Sequence, residues 1–230
     1  MGLISDRLVR LAPSPTVMIT DMAMNMRREG RDVIGLGAGE PDFDTPQHIK
    51  DAAIAAMRDG KTKYTQVDGI PELKEAICRK FARENDIHCR PDQVSVGTGG
   101  KQVLFNALIA SLNPGDEVVI SVPYWVSFAG IVQFAEAVPV FLQPVGNDLK
   151  FSADELASCI TAKTKWFILN SPSNPTGVGY TTADLLEIAE VLRDHPHVHV
   201  ISDDIYEHLT YGDFRFATLA SVAPDLQDRI

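Results

Sequence analysis

Cysteine is scarce in this chain. Three residues of 230, Cys78, Cys89 and Cys159, are all it has. An odd count that matches no metal-ligand spacing argues against a disulfide framework and a thiolate metal centre, and reads as reduced, packed thiols in a cytoplasmic protein. Long apolar runs are missing too: nothing approaches the roughly 20 residues that a membrane-crossing helix needs. The opening "MGLISDRLVRLAPSP" places Asp6, Arg7 and Arg10 where a secretory peptide would need its apolar centre, so no targeting segment is expected. Basic residues are in deficit, 21 against 31 acidic, for a net charge of −10. That speaks against nucleic acid or an anionic membrane as partner, though not against a local anion pocket. Internal repeats and low-complexity tracts are absent.

What is present is an ordinary globular composition, 45 % hydrophobic and 23 % charged. The length can bury a full core, as one large domain or one domain and part of another. Helical periodicity fits "TPQHIKDAAIAAMRDG", "PELKEAICRKFAREN", "GKQVLFNALIASL", "YWVSFAGIVQFAEA", "SADELASCI" and "TTADLLEIAEVLRDH". Short runs bounded by turn residues, "QVSVG", "EVVIS", "VPVFL", "KWFIL" and "VHVIS", predict strands. Alternating strands and helices, with strands apolar almost throughout, predict an α/β fold: a mostly parallel sheet covered by helices on both faces. Thr45 and Pro46 are expected to cap and open one helix, Thr182 and Asp184 another.

Residues 1–44 differ. A Met-rich helix, a short strand "DVIGL" and then "GAGEPDFDTP" read as an N-terminal arm and part of a smaller domain, with 45–230 as the large domain. At the other end, "FATLASVAPDLQDRI" reads as the start of a strand in an interrupted chain.

Two glycine-rich stretches need separating from nucleotide motifs. "GLGAGE" has the wrong spacing for a dinucleotide fingerprint, and "VGTGGKQ" has Gln102 where a P-loop needs Ser or Thr. The second still has an anion-binding context. Thr98-Gly99-Gly100-Lys101 precedes a long helix, whose free N–H groups and dipole favour a phosphate by about 0.3–1 kcal/mol.

Ligands of parallel sheets sit at the carboxyl ends of strands. Those ends offer Tyr124 and Trp125 after "EVVIS", Asn174 in "NSPSNPTG" after "KWFIL", and Asp203, Asp204 and Tyr206 in "SDDIYEH" after "VHVI". Anion cradle, flat aromatic, amide, carboxylate and phenol together suit a flat, phosphorylated, nitrogen-containing ring. The prolines in "NSPSNPTG" stiffen the corner that aims Asn174.

Six blocks in order, "GAGEPDFDTP", "KTKYTQVDGIPELKEAI", "GTGGKQVLFNAL", "VPYWVSF", "NSPSNPTG" and "SDDIYEHLTY", resemble the N-terminal part of a class I (fold type I) pyridoxal-phosphate aminotransferase of the bacterial aspartate aminotransferase-like subgroup. The resemblance implies pyridoxal 5′-phosphate as cofactor, with an amino acid (aspartate first) and a 2-oxo acid (2-oxoglutarate first) as substrates. It places Asp203 at the pyridine nitrogen, and Asn174 and Tyr206 at the ring hydroxyl. Trp125 stacks on the ring, while Gly99, Gly100 and the Lys101 backbone hold the phosphate. Tyr64 reaches the phosphate of a neighbouring subunit, which implies a homodimer. Gly39, Asn174, Trp125, Thr16 and Lys101 fall at substrate-binding positions. Asp204 departs from the family's usual Glu and receives no role.

The family's Schiff-base lysine, in a Ser-x-x-Lys-like segment, has no counterpart here and is expected beyond Ile230, as is the arginine that clamps the substrate carboxylate. Residues 1–230 alone are therefore expected to be inactive. Alternatives on the same fold are an aromatic-, alanine- or kynurenine-type aminotransferase or a lyase. A non-catalytic regulatory or interaction domain is a further alternative.

Overall fold

The computed structural model describes residues 2–37, 39–41 and 43–230. The element order is α1 (Asp6–Val9), α2 (Pro15–Arg28), α3 (Gln47–Arg58), α4 (Pro71–Glu84), α5 (Gly100–Ser111), β1 (Glu117–Ser121), α6 (Ser127–Phe134), β2 (Val138–Leu142), α7 (Ala153–Cys159), β3 (Thr164–Asn170), α8 (Thr182–Asp194), β4 (His199–Asp203) and α9 (Leu219–Val222). Single 3-10 segments lie at Pro91–Gln93 and Pro224–Arg229. The chain divides into two compact units, Arg10–Val67 and the remainder, and the boundary expected at residue 44 falls inside the first of these.

The larger unit is built on a four-stranded, all-parallel sheet in the order β2-β1-β3-β4. Side chains alternate across it with period two. Val118, Ile120 and Ile168 face one way, into a core with Leu104 and Leu108 of α5 and Phe128 and Val132 of α6. Val119, Phe167, Leu169 and Val200 face the other way, against Leu156 of α7, Leu185, Ile188 and Leu192 of α8, and Leu219 of α9. Both faces are covered along the strand centres, which is why those centres are apolar while the polar residues of β1, β3 and β4 sit at or next to the strand ends.

Local signals fix the helix ends. Ser152 and Glu155 form a reciprocal capping box at α7, as Thr181 and Asp184 do at α8. Thr181, one residue before the expected Thr182, is the cap. Helix α3 opens after Pro46, with no side-chain cap from Thr45. At the far end of α8, Arg229 donates to the carbonyls of Leu192, His195 and Val198 at 2.9, 3.2 and 2.8 Å, satisfying groups that the helix end leaves open.

Three expected strands are not strands among the described residues. "QVSVG" is extended, but its one main-chain bond of this kind runs from Val96 N to Asp68 O, with no ladder beside it. "DVIGL" has no neighbouring strand either, its Val33 carbonyl accepting instead from the Arg27 side chain at 2.9 Å, and Ile34 and Leu36 stay exposed. "FATLASVAPDLQDRI" forms α9 and a 3-10 turn instead. Leu219, Ala220, Ala223 and Leu226 recur at helical spacing and are buried.

Candidate active site

The carboxyl ends of β1, β3 and β4 form the rim on which the predicted side chains gather. In the register, Asn170 at the end of β3 lies beside Asp203 at the end of β4. The Asn170 amide donates to the Asp203 carbonyl at 2.8 Å, and its side-chain oxygen accepts from the Asn174 N–H at 2.8 Å. The corner so fixed carries cis peptides at Ser171–Pro172 and Asn174–Pro175. It presents the Asn174 amide to the Tyr206 hydroxyl at 3.2 Å. Sequence reasoning paired Asn174 with Tyr206 correctly in space but gave no role to Asn170, the residue that ties the two loops together. Its signal was there: an amide placed at the last position of a core strand.

A second group forms next to β1. Trp125 meets Phe128 edge-on, ring centroids 5.3 Å apart, and the Lys101 ammonium lies 5.0 Å from the Trp125 ring centroid. A cation held there is worth about 0.5–1 kcal/mol in an exposed setting. Tyr124 stacks on Phe141 of β2 at 5.3 Å. Thus the start of α5 and the loop after β1 are in contact, although the strand expected before α5 is not formed.

The turn into α5 is open. Gly99 has φ +82°, a conformation that favours glycine, and a Cβ at Gly99 or Gly100 would meet nothing within 4 Å. No side chain caps the helix, and the N–H groups of Gly100 and Lys101 meet no backbone acceptor. The Thr98 N–H is taken by the Gln102 side chain. Two converging donors at the positive end of a 12-residue helix therefore remain free for an anion.

Asp203 supplies the opposite pole. Its carboxylate accepts one main-chain bond, from Ile205 N at 3.3 Å, and has no cation beside it among the described residues. Burial pushes its pKa above the usual carboxylate value, and that single bond only partly offsets the effect. A half-buried anionic group lacking a counter-charge fits a protonated ring nitrogen. Asp204 is also pushed up by burial, but its partners are internal: the Ser202 hydroxyl at 2.8 Å and the Thr218 side chain. The next turn is anchored from outside. Glu207 takes an ion pair from Lys80 and a 2.7 Å bond from Asn85, both in or beside α4, 122 or more residues away in sequence.

These features suit pyridoxal phosphate: free donors for a phosphate, an aromatic plate, an amide–phenol pair, and an acid without a cation. A cavity of about 20 Å³ beside Tyr124, Asn170 and Asn174 has room for a single water and none for a cofactor. Thr16, Gly39 and Tyr64 belong to the Arg10–Val67 unit. There Thr16 is half-buried in α2, Gly39 lies in an open stretch and Tyr64 is fully exposed. Ala38 and Asp42 of the "GAGEPDFDTP" block lie outside the described residues.

Comparison with known proteins identifies the family. The family model described as aminotransferase class I and II matches residues 31–230. An aspartate/prephenate aminotransferase of Cereibacter sphaeroides is 56 % identical over 230 residues, and a probable one of Rickettsia bellii is 55 % identical over 231. Each alignment spans all of this chain and 58 % of the relative. Among solved structures, the aspartate aminotransferase of Rhizobium meliloti superposes with a TM-score of 0.94 at 48 % identity, covering 100 % of this chain and 57 % of that one. The Thermus thermophilus aspartate aminotransferase with maleate gives 0.92 at 43 %, covering 97 % and 58 %. The chain therefore spans a little over half the length of the relatives it matches.

Proposed function

The chain belongs to the class I and II aminotransferases, and from that premise we propose that the whole protein moves an amino group from an L-amino acid, aspartate first, to a 2-oxo acid, 2-oxoglutarate first. The family is pyridoxal-phosphate-dependent, and the bound cofactor supplies an electron sink for the substrate α-carbon. The observation that carries the reading is the half-buried Asp203 carboxylate, with no cation beside it among the described residues, on the strand end that registers with Asn170, which in turn holds the loop of Asn174 and its partner Tyr206.

The residues divide the work. Asp203 keeps a proton on the ring nitrogen by accepting its hydrogen bond. Asn174 and Tyr206, already bonded to one another, are aimed as a pair at the ring hydroxyl. The N–H groups of Gly100 and Lys101, at the left-handed turn of Gly99, bind the phosphate. Trp125 covers one ring face and excludes water from it. Gly39, Thr16 and the Lys101 ammonium are proposed to meet the substrate, with Asn174 and Trp125 shared between cofactor and substrate. Tyr64 is proposed to act across a homodimer, and the setting to be cytoplasmic. Residues 1–44 are proposed as arm and part of a small domain.

A second reading of the acceptor is favoured by the relatives at 55–56 % identity, whose names include prephenate. The test is steady-state kinetics of the whole protein with cofactor, using aspartate or glutamate as donor and 2-oxoglutarate or prephenate as acceptor. Amino transfer to either acceptor supports the reading. Elimination products, or transfer confined to alanine or kynurenine, would replace it. Residues 1–230 contain no Ser-x-x-Lys segment, so this stretch alone should give no stoichiometric cofactor–lysine adduct after borohydride reduction. An intact-mass measurement showing one would relocate the lysine.

A further inference from the structure

Two of the three cysteines are brought together by a helix ending that the sequence does not advertise. Helix α4 stops at Glu84, and the chain reverses through Asp86 at φ +52°, with Ile87 N bonded back to Phe81 O at 3.1 Å. A residue in the left-handed region, here Asp where Gly is commoner, turns the chain back over the helix end. The returning segment is laid along α4. It sets the Cys89 sulfur 3.5 Å from that of Cys78, eleven positions earlier. Both thiols are half-buried, and neither is used by the active site. Cys159 is also half-buried but packs against the apolar core beside α8, with no thiol near it.

We propose that Cys78 and Cys89 form a redox-active dithiol, a modification site for small-molecule disulfides of the glutathione class. The sulfurs need to approach by roughly 1.5 Å to reach a disulfide bond length. In the first step the Cys78 thiolate attacks one sulfur of the small disulfide. That S–S bond breaks, a mixed disulfide forms on Cys78, and the departing thiolate takes up a proton. Cys89 then gives up its proton and attacks the Cys78 sulfur, expelling the second small thiolate. Two cysteine hydrogens leave with two small thiols; the protein pair is oxidised and the small disulfide reduced. Burial and the adjacent thiol push the Cys89 pKa up, in keeping with Cys78 as the attacking and Cys89 as the resolving residue. Closure ties α4 to the segment that runs into the Gly99–Gly100 turn.

The experiment treats the whole protein with oxidised glutathione, alkylates remaining thiols, digests with trypsin under non-reducing conditions and maps the peptides. The expected result is a linked pair of peptides carrying Cys78 and Cys89, reversible by dithiothreitol, with Cys159 alkylated. Cys89→Ser should stop at the mixed disulfide on Cys78, and Cys159→Ser should leave the link intact. Wild-type protein in which Cys78 and Cys89 stay fully alkylatable, or in which glutathione remains on Cys78 without closure, would overturn the proposal. So would loss of the link in Cys159→Ser.

Discussion

Asp203 behaves in opposite ways toward stability and toward cofactor. Its folded pKa is raised by burial, so the stability linked to it is fully present below the unfolded value of 3.8 and is lost as pH rises through the higher folded value. At neutral pH the cofactor-free fold therefore carries an uncompensated, half-buried charge. Asp203→Asn should raise the melting temperature of the cofactor-free whole protein at neutral pH, with the gain shrinking toward acid. The same change should weaken cofactor binding on the order of 10- to 100-fold, the size of a hydrogen bond to a charged group. A thermal scan and a fluorescence titration read the two effects separately; a fall in both would mean that Asp203 is a structural cap. Gly100→Ala divides folding from binding in another way. It has room for a Cβ and an ordinary φ, so the fold should survive. In the proposed phosphate site the methyl group would crowd the Gly100 and Lys101 donors, and phosphate-dependent affinity should drop by at least about 10-fold. Equal affinity in calorimetry would remove this turn from the site.

At the scale of elements, the cover of the sheet is what holds the rim in place. Ile188 of α8 is almost fully buried between β3 and β4 side chains, and Ile188→Ala should cost about 2–5 kcal/mol in urea unfolding of the whole protein. Thr181→Ala removes one half of the α8 capping box and should cost about 1 kcal/mol. A loss near zero for Ile188→Ala would show that this face is repacked in the whole protein. The same elements explain what was legible beforehand. β1 to β4 and their helices announce themselves through dry, alternating strands and amphipathic helices, because both signals arise from burial within the unit. "QVSVG" and "DVIGL" have the side chains of strands, but a strand also needs a neighbour's backbone, and composition does not say whether one is present. The stretch from Phe216 to Ile230 misled for a different reason. Pro224 opens the 3-10 turn that follows α9, and the buried Leu219, Ala223 and Leu226 follow helical spacing, not the alternation of a strand.

At the scale of the molecule, the site draws on sequence blocks about a hundred residues apart, and only the sheet brings them to one rim. The loop motifs were legible because each must present a particular chemical group at a strand end. The braces behind them were not. Asn170 joining the β3 and β4 loops, and Lys80 reaching across to Glu207, are ordinary polar residues until the fold makes them neighbours. The central claim concerns the cofactor's ring nitrogen, so the most direct measurement is the nitrogen-15 shift of labelled pyridoxal phosphate bound to the whole protein at neutral pH. With wild-type protein the account predicts a protonated pyridine nitrogen, and with Asp203→Asn a neutral one. An unprotonated nitrogen in wild-type protein, or the same protonated signal in both, would contradict it.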